Sequence, residues 1–187
     1  MTTLRETFIE TLRDTYDAEH QIMNALPGFI HLVKNDHLRK TIETHLAKTL
    51  QHAQRLEQVF AIVGAKAEGH KCHGVAGMLM EGQEATEGDD SEVAVILALQ
   101  KVEHYEIAAY DALVSWAKLL AQAQSNQSPY ACGALVSWAK LLEKQKASLI
   151  LEETLIEEKE ANEKLTDIIR EIVNFDEESQ FESRRAA

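Results

Sequence analysis

The residues with the clearest capacity for chemistry lie in Val102-Glu-His-Tyr-Glu-Ile-Ala-Ala-Tyr110. Glu103 and Glu106 are three positions apart, so a helix puts both on one face. The same face carries Leu99, Tyr110 and Leu113. A carboxylate on an apolar stripe is costly to bury unless a cation compensates it. Inside a four-helix bundle that cation is commonly a metal ion, held by Glu and His side chains projecting inward from facing helices. Other residues of the right type recur at helical spacing. Glu19 lies on a stripe between Tyr16 and Met23. His45, Thr49 and His52 fall at i, i+4 and i+7 and stack along one line. Glu153, Glu157 and Glu160 repeat near the C-terminal end.

Each of these residues also has a plainer role open to it. Glu19 fits a boundary carboxylate paired with Lys or Arg. His45 and His52 fit core imidazoles bonded to a carbonyl or to Glu19. Much of Glu152-Glu-Thr-Leu-Ile-Glu-Glu-Lys-Glu160 must be a solvated face. Tyr105 and Tyr110 serve equally as packing or as hydrogen-bonding groups. The loop His70-Lys-Cys72-His73 lacks a fourth partner at a zinc-site spacing. Trp116 and Trp138 are most simply packing residues. Convergence of Glu and His from several helices is more specific than any one of these motifs.

Four long helices must do the positioning. The first starts at Thr2 or Thr3, with Glu6 placed for a capping box. Its stripe of Leu4, Phe8, Leu12, Tyr16, Glu19, Met23 and Leu26 is interrupted at Pro27-Gly28 and ends near Lys34-Asn35-Asp36. The second helix runs from about Asp36 to Val63, closed by Gly64. A polar loop over 65–74 and a short helix near Val75 to Thr86 make a crossover too long for a simple antiparallel turn. The third long helix begins at Ser91 or Glu92, and the last ends near Val173. Counting back from the turn near residue 35 puts Glu19 and His52 at one height. Glu106 then faces the region of Glu157 to Glu160. The expected architecture is all-α, a bundle over 1–174 with a polar tail over 175–187.

One repeat interrupts the pattern. Ala112-Leu-Val-Ser-Trp-Ala-Lys-Leu-Leu120 recurs identically at Ala134 to Leu142, an offset of 22 residues. It marks a duplicated helix-end insertion near 112–133, which either extends the two flanking helices or adds a protruding hairpin.

Composition narrows the function classes. The chain has 187 residues and a formal net charge of -12, which disfavours nucleic acid as a partner. Two cysteines, Cys72 and Cys132, make no disulfide framework. No apolar run is long enough to span a bilayer. A soluble protein of a reducing compartment, the cytoplasm, is expected, with no membrane partner.

The motifs resemble those of the YciE/YciF family of ferritin-like stress proteins. The matching segments are Val102 to Tyr110, Tyr16-Asp-Ala-Glu-His-Gln-Ile22, His45-Leu46, Arg55-Leu-Glu57, Lys71-Cys72, Glu153-Thr-Leu-Ile-Glu-Glu-Lys159 and Lys164-Leu165. The resemblance covers about residues 4–170, apart from the insertion. It implies a rubrerythrin-like four-helix bundle, commonly a homodimer, with a di-iron or di-manganese centre. By position the implied ligands are Glu19, His45, Glu103, Glu106, Glu153 and Glu157. His52 stands where the family often has Gln, and is kept as a further candidate ligand. Lys48 stands where it often has Glu, which takes a carboxylate from the second helix. The implied activity is peroxidase- or catalase-like redox chemistry on peroxide or dioxygen. The rival is a metal-free helical dimer that binds partners under stress, its acidic stripe neutralised by Lys48, His45 and His52. Iron storage in a large shell is a weaker third possibility.

Overall fold

The computed structural model describes residues 3–84, 91–125 and 131–186, with side chains over 3–84, 92–122 and 145–173. Among the described residues there are five helices: α1 (Leu4–Leu32), α2 (Asp36–Val63), α3 (His73–Glu84), α4 (Ser91–Ser125) and α5 (Ala131–Ala186). α1, α2, α4 and α5 form the four-helix bundle, and α3 rides on the crossover.

Local chemistry sets most of the helix ends. The Thr3 hydroxyl accepts from the Glu6 N–H at 3.2 Å, and the Glu6 carboxylate accepts from the Thr3 N–H at 2.8 Å. This is the capping box expected from the sequence. The Asn35 side chain accepts from the Leu38 N–H at 3.0 Å and caps α2. Gly64 ends α2 with φ 65°, a left-handed conformation that suits glycine.

Two expectations about helix ends fail. α1 continues unbroken through Pro27 to Leu32. A helical proline costs about 3 kcal/mol. Leu26 and Phe29 are buried on either side of it, and each such side chain returns about 1.5–3 kcal/mol on burial. α5 also runs past Val173 to Ala186. No Gly or Pro occurs after Gly133, and Glu, Gln, Arg and Ala of the tail favour helix.

The helix order follows from a few contacts. Arg5 donates to the Val63 carbonyl at 2.9 Å, so α1 begins where α2 ends. Glu92 Oε1 accepts from the Asn35 N–H at 2.6 Å, so α4 begins beside the α1–α2 turn. α2 and α4 therefore run parallel across the diagonal, while the packed pairs α1·α2, α4·α5, α2·α5 and α1·α4 are antiparallel. The crossover is tied down along α1. His70 N–H donates to the Arg13 carbonyl at 3.2 Å, Cys72 N–H to Asp17 Oδ2 at 2.8 Å, and Gln21 Nε2 to the Cys72 carbonyl at 3.0 Å.

One copy of the duplicated segment lies on α4 and the other on α5. Leu113, Val114 and Ala117 of the first copy are core residues. The side chains of the second copy lie outside the described set.

The core is split into two apolar clusters. One contains Phe8, Leu12, Leu56, Phe60, Leu113 and Leu151. The other contains Ile22, Phe29, Leu38, Ile42, Ile96 and Ile168. Between them lies a layer of buried polar residues contributed by all four long helices.

Two of the three glycines of α3, Gly77 and Gly82, make a matched test of packing. A Cβ on Gly82 would lie 2.5 Å from the Ala98 Cβ and 3.2 Å from Phe29, neither of which has a flexible end to move aside. A Cβ on Gly77 would meet nothing within 4 Å. Urea denaturation should show Gly77→Ala more stable by up to about 1 kcal/mol, from helix propensity. Gly82→Ala should be less stable by about 1–3 kcal/mol, because overpacking outweighs that gain.

Candidate metal centre

The polar layer is built one helical turn at a time. α1 contributes Thr15 and Glu19, α2 His45, Thr49 and His52, α4 Glu103 and Glu106, and α5 Thr154 and Glu158, all buried. Spacings of three or four keep these residues on the inward stripe of each helix. Ligand atoms of His45, Glu103, Glu106 and Glu158 all lie within 4.8 Å of one another. Those of Glu19, His52 and Glu158 do so as well. Glu158 is common to both groups.

Several neighbours orient the layer. The Tyr110 hydroxyl donates to Glu19 Oε1. His52 Nδ1 lies 2.7 Å from Glu158 Oε1 and 3.7 Å from Glu19 Oε1, while Nε2 lies 3.0 Å from Glu157 Oε2. His45 Nδ1 is 3.5 Å from Glu103 Oε1. The Thr49 hydroxyl, between the two imidazoles, donates to the His45 carbonyl at 3.0 Å.

Burial dominates the electrostatics. Loss of solvent pushes Glu19 up to about 8, with the Glu158 charge adding to it against the opposing pull of His52. Burial, then the Glu158 charge, lifts Glu103 and Glu106 well above the usual carboxylate range. Burial also holds His45 below the usual imidazole range. It opposes charge on His52 too, but the adjoining carboxylates of Glu158, Glu19 and Glu157 outweigh it and raise His52 to about 8. On Glu158 burial works against ionisation, and contact with His52 overcomes it, so its carboxyl sits below the ordinary value.

Five of the expected ligands converge: Glu19, His45, His52, Glu103 and Glu106. Glu19 and His52 stand at one height, as counting from the turn predicts. Glu153 and Glu157 do not join them. Glu153 is 63% exposed and pairs with Arg55 Nη2 at 2.6 Å. Glu157 sits at the rim against Arg55, with Lys48 Nζ 3.8 Å away. Glu158 takes the inward place instead. The reason is the phase of α5: its core stripe is Ala147, Leu151, Leu155, Glu158, Ala161, Leu165 and Ile168, whereas Leu149 and Ile156 face outward. Counting back from Ile168 and Leu165 in steps of three and four reaches Glu158, which is the signal the sequence reading missed. The loop residues stay apart from the layer. Cys72 Sγ donates to the Tyr105 hydroxyl at 3.0 Å, and His70 pairs with Asp14.

The donor set fits a metal. Glu19 Oε2, Glu103 Oε2, both oxygens of Glu106 and Glu158 Oε2 are buried without a hydrogen-bond partner. Among the described residues, the ion pairs of Arg55 and Lys48 end on Glu153, Glu157 and Glu160, outside the layer. Buried acceptors of this kind are costly unless a cation satisfies them. Carboxylate oxygen with imidazole nitrogen is a donor mixture that suits iron and manganese.

Comparison with known proteins places this arrangement in a family. A family model described as a domain of unknown function (DUF892) matches residues 3–128 and 130–177. Protein YciF of Escherichia coli (strain K12) is 33% identical over 179 residues, 93% of this chain and 95% of that protein. The crystal structure of that E. coli protein, described as a stress protein, superposes with a TM-score of 0.77 over 93% of this chain and 99% of its own. YcfI of Rhodopseudomonas palustris, described as a putative structural protein, is 34% identical with a TM-score of 0.73, covering 88% of this chain and 94% of its own. A protein from Xanthomonas campestris at 22% identity and a TM-score of 0.66, over 95% of this chain and 99% of its own, shares the fold. The chain belongs to the DUF892 family and is a relative of the YciF stress protein.

Proposed function

We propose that the buried layer holds two iron or two manganese ions and that the loaded protein carries out redox chemistry on peroxide or dioxygen as part of a cytoplasmic stress response. The observation that carries the reading is the set of unpartnered oxygens on Glu19, Glu103, Glu106 and Glu158. His45, Glu103, Glu106 and Glu158 would hold one ion, and Glu19, His52 and Glu158 the other, with Glu158 shared. When bound, such a pair supplies electrons to an oxygen–oxygen bond and an open coordination position.

The chain's own residues prepare the site. Tyr110 orients Glu19 through its hydroxyl. His52 donates its Nε2 proton to Glu157, which keeps Nδ1 turned toward Glu158 and Glu19. Arg55 fixes Glu157 from outside. The apolar clusters on either side exclude water, which strengthens every charge interaction within the layer.

A structural role in a homodimer is the second reading. Leu149 and Ile156 are two turns apart on the outer face of α5, and both are more than half exposed. Sedimentation of the purified protein should give twice the chain mass of 21.0 kDa. Dissociation to the monomer in Leu149→Glu/Ile156→Glu would support that face as the contact, and an unaltered mass would exclude it.

Metal analysis tests the leading reading directly. Protein purified without chelator and reconstituted with iron(II) or manganese(II) should retain about two ions per chain. Glu158→Gln should weaken uptake by about 10-fold or more, whereas Glu153→Gln should leave it unchanged. Uptake near zero with both metals, or equal losses in the two variants, would overturn the assignment.

Protons and metal compete for the same oxygens. Unfolded, Glu19 ionises near 4.5, whereas folded it does so at about 8. Metal-free protein thus keeps a proton that the unfolded chain has released, and its stability falls as pH rises through that interval. Glu103 and Glu106 act in the same direction. His52, raised from 6.5 to about 8, also loses its contribution as pH passes those values. The melting temperature of chelated protein should therefore fall between about pH 6 and pH 8.5, and that of metal-loaded protein should not.

A further inference from the structure

A cleft of about 300 Å³ lies against the outer side of the layer, between α2 and α5. Lys40, Lys48 and Lys164 line it together with His37 and Thr41, and His45 forms part of its wall. Among the described residues no Asp or Glu lines it, although the chain carries 31 acidic residues against 19 Lys and Arg. Three ammonium groups are thus gathered at one place on a strongly acidic protein.

Two of the three, Lys40 and Lys164, are unmet from within. Lys48 Nζ pairs with Glu157 and Glu160 at 3.8 and 3.7 Å, and His37 Nδ1 lies 3.3 Å from Glu171 Oε2. Lys40 and Lys164 form no ion pair with any described residue. Uncompensated cations around a concave surface attract an anion and hold it by charge-assisted hydrogen bonds. The volume reaches the lower end of that for small-molecule sites, so it admits an organic anion as well as an inorganic one.

A second, smaller space shares part of the cleft's wall. Thr41, His45 and Ala161 also line a narrow space of about 10 Å³, whose other walls include Glu103 and Leu99. That is room for one water-sized group. His45 and Glu103 both belong to the layer. The lysine-lined cleft and the carboxylate layer are therefore joined through one imidazole.

We infer that this cleft is a binding site for a small oxyanion-bearing molecule, a carboxylate or a phosphate, which the lysines hold and whose far end they direct at His45. What meets that far end rests on the reading of the layer as a metal centre. The anion site itself stands on the cleft alone.

Calorimetric titration of metal-free, full-length protein with inorganic phosphate, and separately with succinate, tests the site. Saturable binding of at least one anion is expected, and its identity distinguishes the two sources of the charged group. Lys40→Gln/Lys164→Gln should weaken that binding by about tenfold or more. Lys101→Gln, which removes an exposed lysine paired with Glu81 instead, should not. Absence of saturable binding by either anion, or equal binding by the double variant, overturns the proposal. A second arm uses manganese-loaded protein and follows paramagnetic broadening of the bound anion's NMR signal. Broadening in the parent that disappears in the double variant supports an anion seated beside the layer; binding without broadening overturns that part. Protein that takes up neither manganese nor iron defeats the metal reading, and the calorimetry still decides the cleft. Manganese uptake without anion binding defeats the cleft and leaves the metal reading standing.

Discussion

Four carboxylates and two imidazoles occupy the middle of an otherwise apolar bundle, and most of the structure answers to the cost of keeping them there. An isolated ionised carboxylate in such surroundings neutralises itself rather than remain charged and unpaired. The upward displacement of Glu19, Glu103 and Glu106 is that response. Only Glu158, in contact with His52, retains its charge readily. The protein could have placed apolar residues at these positions, as it does in the layers above and below. It instead aligns polar residues at one height on four helices, which packing alone does not require.

The scaffold separates the carboxylates that have cationic partners from those that lack them. Arg55 takes Glu153 and Glu157, and Lys48 approaches Glu157 and Glu160, all on the outer side of α2 and α5. The inward set receives no Lys or Arg ion pair among the described residues. The mixed charges outside are ordinary helix-surface chemistry, of modest energetic weight. The inner set is open to a stronger ligand because its neighbours were matched elsewhere.

Much of this was legible from periodicity. The all-α class, the capping box at Thr3, the Gly64 stop and the crossover all follow from local signals that tertiary packing leaves intact. Glu103 and Glu106 declared themselves by sharing a stripe with Leu99 and Leu113. Two kinds of signal failed. Pro27 is a helix breaker by propensity, but Leu26 and Phe29 on either side of it are anchored in the core. In α5, runs of adjacent Glu and scattered apolar residues fit more than one helical phase, and the exposed Leu149 and Ile156 lie in register with Glu153, Glu157 and Glu160, one step from the buried stripe. The choice between Glu157 and Glu158 is a choice of which residue faces α2 and α4, and a single sequence with outward-facing apolar residues does not decide it. The lysine cleft was equally hidden, since Lys40 and Lys48 lie far in sequence from Lys164 and only the α2·α5 contact joins them.

His52 touches two consecutive residues of one helix with its two nitrogens: Nε2 meets Glu157 and Nδ1 meets Glu158. Consecutive helical residues point about 100° apart, so a single ring satisfies both only at one rotational setting of α5. The imidazole thereby acts as an indexing pin. If α5 turned by one residue, both contacts would break together and Glu158 would leave the interior. The residue that helps neutralise the layer also sets the angular position of the helix that completes it, so the choice of inward carboxylate and the assembly of the bundle are a single event.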